Sequence, residues 1–137
     1  MDAKTIQKYN KYSIAELIKM CQKYFNAYIR KRDTDENGMG ICINCGKFKK
    51  LQAGHFYPTS TYSHLRFDEF NTRGECLQCN YFNSQSHSYG YAVNLPKVIG
   101  QEEFEKLQLR AKNRKGHKWN KLTLIDLIEK YKLKTKA

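Results

Sequence analysis

The sequence predicts an α+β fold, and three observations predict it. A capped apolar stripe at helical spacing lies near the start. Two Cys-x-x-Cys pairs then enclose 30 residues of short strand-like and turn-like segments, and two more amphipathic stretches close the chain. At 137 residues the prior is one domain. It divides into an N-terminal helix over 13–33, a cysteine-stapled core over 41–90 and a basic helical region over 96–137.

Residues 1–12 are polar and basic and read as a loose arm. Ser13 and Glu16 form an S-x-x-E capping box, which satisfies two otherwise orphan N–H groups. Ile14, Leu17, Ile18, Cys21, Phe25, Tyr28 and Ile29 follow on one helical face, so Cys21 reads as core packing. Two glycines in Asp35-Glu36-Asn37-Gly38-Met39-Gly40 mark a loop. Lys49 to Tyr57 reads as a strand and Leu65-Arg66-Phe67 as a second, short one. Asn80 to Ser88 reads as a short helix limited by Gly90. After Pro96, Gln101 to Arg110 is amphipathic through Phe104 and Leu107. Thr123-x-x-Asp126 resembles a cap for a last helix whose face is Leu124, Leu127, Ile128 and Tyr131. Lys130 to Ala137 reads as a frayed basic tail.

Charge is large and uneven. Lys and Arg number 25 against 13 Asp and Glu, a net charge of +12. The surplus sits wholly in residues 1–50 and 101–137, and the middle is neutral. Such a balance points to a polyanion, nucleic acid before a membrane surface. The flanks read as grips and the middle as the working part. No apolar run approaches the ~20 residues of a membrane span, and the N-terminus lacks the apolar stretch of a signal peptide. A cytoplasmic location is expected.

In a reducing compartment, paired Cys-x-x-Cys motifs favour a metal over disulfides. Each motif turns two thiolates toward one ion. Cys42, Cys45, Cys76 and Cys79 together make a tetrahedral S₄ site for Zn²⁺. Four thiolates leave no open coordination position, so this zinc is structural and contributes folding energy. A redox pair or four unrelated thiols are the rival readings.

Between and just after these cysteines stand His55, Asn71 and Asn80, in the frame C-x₂-C-x₉-H-x₁₅-N-x₄-C-x₂-C-N. The frame resembles the HNH nucleases, the ββα-metal family. The resemblance implies an HNH-like core in which His55 activates water, Asn71 braces the loop between strands, and Asn80 helps hold a divalent ion. Asparagine also follows the second knuckle of the phage Holliday-junction resolvase endonuclease VII. The chemistry suits phosphodiester hydrolysis. A neutral imidazole has a fitting pKa for a general base, and Mg²⁺ or Mn²⁺ with oxygen ligands would stabilise developing charge.

A closer resemblance covers roughly residues 13–110. Tyr28-Ile29-Arg30-Lys31-Arg32-Asp33, Cys42-Ile43-Asn44-Cys45-Gly46, Ala53-Gly54-His55-Phe56, Leu65-Arg66-Phe67-Asp68, Asn71 and Cys76-x-x-Cys79-Asn80 are similar to the NinG (Rap) recombination proteins of lambdoid phages. This implies an endonuclease acting on branched DNA such as Holliday junctions and D-loops. One departure stands out. Many HNH enzymes carry a metal-ligating Asp immediately before the histidine, and NinG-like proteins are expected to have an acid slightly upstream. Here the residues are Gly54 and Gln52. Asp68, Glu69 or a residue distant in sequence is then the replacement, or Asn80 and water hold the ion alone.

Arg30, Lys31 and Arg32 close the first helix, where cations suit the helix dipole and can also clamp phosphate. Lys47, Lys49, Lys50 and Arg66 lie near His55 in the chain. Lys112, Arg114, Lys115 and Lys118 belong to the run Arg110–Lys121, which holds six Lys/Arg and no acid. Trp119 within it is either core or a stacking platform. His64 and His117 read as surface or phosphate-facing, and His87 as a loop residue. Nothing resembles base-edge readout, so selectivity for DNA structure is expected rather than for sequence. The overall expectation is a branched-DNA endonuclease, with a homodimer attractive because a junction has two strands to cut. A non-catalytic zinc-containing nucleic-acid-binding module is the main alternative, and a small RNA-associated zinc protein a third.

Overall fold

The first residues are docked rather than loose. In the computed structural model, which describes residues 1–82 and 84–136 with side chains throughout except at 82–88, helix α1 (Ala3–Lys8) starts where Asp2 Oδ1 accepts the Thr5 N–H at 2.8 Å. Tyr9 follows, buried, and its hydroxyl donates to Glu129 and accepts from Lys132 Nζ at 2.9 Å. A single aromatic anchor thus docks a polar arm on the core, which no periodicity announces.

The capping box forms as the sequence predicts. Ser13 N–H donates to Glu16 Oε1 at 2.9 Å and Glu16 N–H to Ser13 Oγ at 3.1 Å. Helix α2 (Ile14–Asp33) buries Leu17, Cys21, Phe25 and Ile29. Strand β1 (Met39–Ile41) pairs antiparallel with β2 (Phe48–His55), and β2 with β3 (Thr72–Cys76), giving a sheet ordered β1-β2-β3. The expected strand at 65–67 is absent. Leu65 ends a 3₁₀ turn (Ser63–Leu65), and Leu65, Arg66 and Asp68 direct their N–H groups to Tyr62, Ser63 and Leu65 within the loop. The apolar alternation there has another cause: Leu65 and Phe67 enter two different core clusters.

A π-helical turn (Gln78–Phe82) follows the second knuckle, and then α3 (Ser84–Ile99), α4 (Gln101–Lys112) and α5 (Lys121–Lys136). Gly90 does not limit α3. A Cβ there would overlap Asn44, so the glycine lets the helix lie against the first knuckle. The last helix is capped by Asn120, whose Oδ1 accepts the Thr123 N–H at 2.9 Å, rather than by Thr123. It also runs through the expected tail, because Tyr131 is buried and Lys134 pairs with Glu69 at 3.0 Å.

One core cluster joins α2 and α5 with Tyr9 and Phe67. The other joins Ile43 and Leu65 with Tyr91 and Leu95 of α3 and Phe104 and Leu107 of α4. The β2–β3 ribbon contributes Ala53, packed against the first cluster. Trp119 belongs to this interior: its ring meets Phe67 edge-on at 5.0 Å and its indole N–H donates to Ser63 O at 3.2 Å. Among the described residues no helix is long and apolar enough to cross a membrane.

Candidate functional site

The four cysteines come together as their spacing predicts. Their sulfur atoms all lie within 4.8 Å of one another. An ideal tetrahedron of Zn–S bonds near 2.3 Å has sulfurs about 3.8 Å apart, so the cluster can hold a metal such as zinc with little adjustment. The Gly46 N–H donates to Cys42 O at 3.0 Å, and Gly46 takes φ +73°, which closes the first knuckle. The Cys76 N–H points at Cys42 Sγ at 3.3 Å. Burial pushes the thiols of Cys42 and Cys79 up, and a bound dication is what would deprotonate them. Among the described residues, Leu51 is the one buried non-cysteine of this cluster.

From that staple β2 runs to His55 and β3 begins opposite it, with His55 and Thr72 as cross-strand partners. The long loop between them is held by Asn71, which is completely buried. Its side-chain oxygen accepts the Tyr57 N–H at 2.8 Å, and its amide donates to Tyr57 O at 3.2 Å and Leu65 O at 3.3 Å. One amide side chain therefore ties both ends of the excursion to the strand base.

His55 lies on the α2 side of the ribbon. Its ring stacks on Phe25, centroids 6.4 Å apart and planes at 22°. Nε2 stands 2.9 Å from Arg66 O. A carbonyl only accepts, so Nε2 carries the proton and the lone pair of the neutral ring is at Nδ1. Burial holds the imidazole below its usual pKa, with the Arg66 carbonyl opposing and the Arg66 charge adding to the effect. The result is a neutral, oriented base near pH 7.

Asn80 does not join His55 directly. Its amide donates to Gln52 Oε1 at 3.2 Å. Side chains alternate along a strand, so Gln52 and Gly54 face away from His55. Glu75, the cross-strand partner of Gln52, shares their face. It is wholly buried, and Asn44 Nδ2 donates to its Oε2 at 3.2 Å. Sequence reading missed this acid, because Thr72-Arg73-Gly74-Glu75-Cys76 lacks the apolar alternation of a strand. The acids proposed instead are engaged elsewhere. Asp68 pairs with Arg110 at 2.8 Å, and Glu69 accepts from Tyr131 at 2.7 Å and Lys134 at 3.0 Å. His87 lies outside the residues whose side chains are described.

The cations divide into two groups. Arg32 turns inward, binding Asp33 at 2.7 and 2.9 Å and the carbonyls of Glu69 and Thr72 at 3.1 and 2.5 Å. Arg30, Lys31, Lys47, Lys50, Lys112, Arg114, Lys115 and Lys118 are exposed, and Lys49 is half-buried with its ammonium near Gln78. Arg114 stacks over Tyr62 at 5.2 Å, which brings the 112–118 run beside the loop that Asn71 braces. His64 directs Nε2 to Arg110 O at 2.7 Å and lies 5.9 Å from the His117 ring. Arg66 is distinctive. Its carbonyl holds the His55 ring, yet its guanidinium has no carboxylate partner among the described residues, only Gln22 Oε1 at 3.4 Å.

Comparison with known proteins gives a consistent relationship. The family model described as Bacteriophage Lambda NinG protein matches residues 2–137. Protein ninG of Escherichia phage 933W is 36% identical over 121 residues, covering 87% of this chain and 56% of that protein. Protein ninG of Escherichia phage lambda and that of Salmonella phage P22 are each 36% identical over 104 residues, covering 74% of this chain and 47% of theirs. The chain thus spans about half the length of the curated relatives it matches. No solved structure matches. With its family model matched over residues 2–137, this chain belongs to the NinG family of lambdoid phage proteins.

Proposed function

We propose that this protein is a metal-dependent endonuclease of the HNH type that cuts branched DNA, such as Holliday junctions and D-loops. The observation that carries the reading is the setting of His55: a half-buried imidazole, kept neutral, with Nε2–H fixed on Arg66 O and Nδ1 as the basic nitrogen. That is the equipment needed to take a proton from an attacking water. Asn71 keeps the loop that carries Arg66 in place. The Arg66 guanidinium, with no carboxylate partner among the described residues, can donate to phosphate oxygens. The cysteine cluster, holding zinc, fixes the far end of the same ribbon. The exposed cations Arg30, Lys31, Lys47 and Lys50 and those of 112–118 supply sequence-independent backbone affinity.

A Mg²⁺ or Mn²⁺ ion, when bound, supplies electrostatic stabilisation of charge building on the phosphate and leaving oxygen. Asn80 offers an amide oxygen to such an ion. Two strands must be cut to resolve a junction, and the reading includes a homodimer; sedimentation showing a single protomer both free and on junction DNA would remove that part.

The test uses a labelled four-way junction and a matched linear duplex, with Mg²⁺, Mn²⁺ or EDTA. Metal-dependent cleavage favouring the junction, abolished in His55→Ala with binding retained, is expected. Gln52 and Gly54, neutral where an acid is expected, favour a second reading, a non-catalytic zinc module that binds nucleic acid. Tight junction binding without cleavage under any metal would establish that one.

A further inference from the structure

The nuclease reading needs an anionic oxygen for its divalent ion close to His55, and neither residue 52 nor residue 54 provides one. We infer that Glu75 is that ligand, delivered from β3 across the strand pair. The inference rests on the nuclease reading and adds to it the identity of the carboxylate.

Three features of the fold point to Glu75. A Cβ built on Gly54 would overlap Glu75 Oε1, so the Glu75 carboxylate occupies the space a side chain at 54 would take. Residue 54 immediately precedes His55, which brings the acid to the strand end where the base sits. Second, Glu75 opposes Gln52, whose Oε1 holds the Asn80 amide at 3.2 Å. A carboxylate and two amide side chains thus share one face of the ribbon, a hard oxygen donor set of the kind Mg²⁺ and Mn²⁺ accept. Third, Glu75 is completely buried, and Asn44 orients it by donating to Oε2 at 3.2 Å. A buried carboxylate that is oriented by an amide and packs against Gly54, the residue before His55, is well suited to a cation.

The absence of a side chain at 54 then has a structural reason. Glycine there is required for Glu75 to reach its position, so the acid and the glycine form one arrangement. An aspartate at 52, on the same face and directly across from Glu75, would offer its carboxylate from the facing strand.

The test measures Mn²⁺ binding by electron paramagnetic resonance on the zinc-loaded full chain, without DNA. Three proteins are compared: the parent, Glu75→Gln, and Gln52→Asp/Glu75→Gln. The inference expects one Mn²⁺ site in the parent, at least tenfold weaker binding in Glu75→Gln at unchanged zinc content, and recovery of most of that loss in the double variant. Parent-like binding by Glu75→Gln overturns the inference and leaves the nuclease reading intact. No Mn²⁺ binding by the parent overturns both. Should Glu75→Gln fail to retain zinc, substoichiometric Mn²⁺ on the parent decides instead by nuclear magnetic resonance. Broadening that starts at the Gly54 and Glu75 amides supports the assignment; broadening centred elsewhere overturns it.

Discussion

His55 Nε2 sits 2.9 Å from the main-chain oxygen of Arg66, so the residue that orients the base through its backbone also carries, on its side chain, a guanidinium with no carboxylate partner among the described residues. In the proposed nuclease, base orientation and phosphate binding would be coupled through one loop residue.

Cleavage should separate these two roles. Arg66→Ala keeps the carbonyl and removes the cation. We expect junction affinity to fall about tenfold, in the 1–3 kcal/mol range of a lost charged contact, with the slope of log affinity against log salt reduced by about one. His55→Ala should leave affinity and salt slope unchanged while cleavage falls at least a hundredfold. Binding isotherms at several salt concentrations, read beside single-turnover rates, check both. An Arg66→Ala protein with parent affinity would mean that this guanidinium touches no phosphate.

The pH dependence follows from the lowered His55 pKa. The ring is the active base when neutral, so the acid limb of the rate profile is expected below the ordinary histidine value of about 6.5. Stability has the same sign. The neutral half-buried ring contributes fully above about 6.5, and that contribution is lost as pH falls through the folded-state pKa. Phe25→Ala exposes the ring and should move the limb upward. A profile limb above 6.5 in the parent would contradict this assignment.

Asn71 is a structural brace by its contacts, and its loss should be read in stability. Asn71→Ala strands the Tyr57 N–H and two carbonyls in the interior. A cost of about 3 kcal/mol is expected from unmet buried hydrogen bonds, measured by urea unfolding of the zinc-loaded protein. A change under 0.5 kcal/mol would show that the loop holds itself.

Metal removal should act unevenly. Among the described residues Leu51 alone accompanies the cysteines in their buried cluster, whereas α2 and α5 share a large apolar interface. Chelation under reducing conditions is expected to melt the strand hairpins first. Helical circular dichroism and the environment of Trp119, which packs on Phe67, should survive longer. Simultaneous loss of both signals would mean the two parts fold as one unit.

Much of this was local and therefore readable. The capping box of Ser13 and Glu16 and the apolar stripe of α2 depend on residues a few positions apart. The cysteine pairs depend on turn geometry, and the frame around His55, Asn71 and Asn80 was visible as spacing. The third strand was not, because Thr72–Cys76 is defined by its ladder to β2 and not by its composition. The short stretch at 65–67 looked like that strand only because its two apolar residues enter separate cores.

The sequence by itself determined the helices whose periodicity matches their burial, the sulfur donor set and the basic flanks, since propensity, ligand chemistry and charge belong to residues wherever they lie. Tertiary structure alone decided which acid packs against the residue preceding His55. Asp68 and Glu69 are near in sequence, yet pairing with Arg110, Tyr131 and Lys134 draws them away. Glu75 is 20 positions from His55, and antiparallel register brings it to the space Gly54 leaves. Register is a relation between strands, and no single strand contains it.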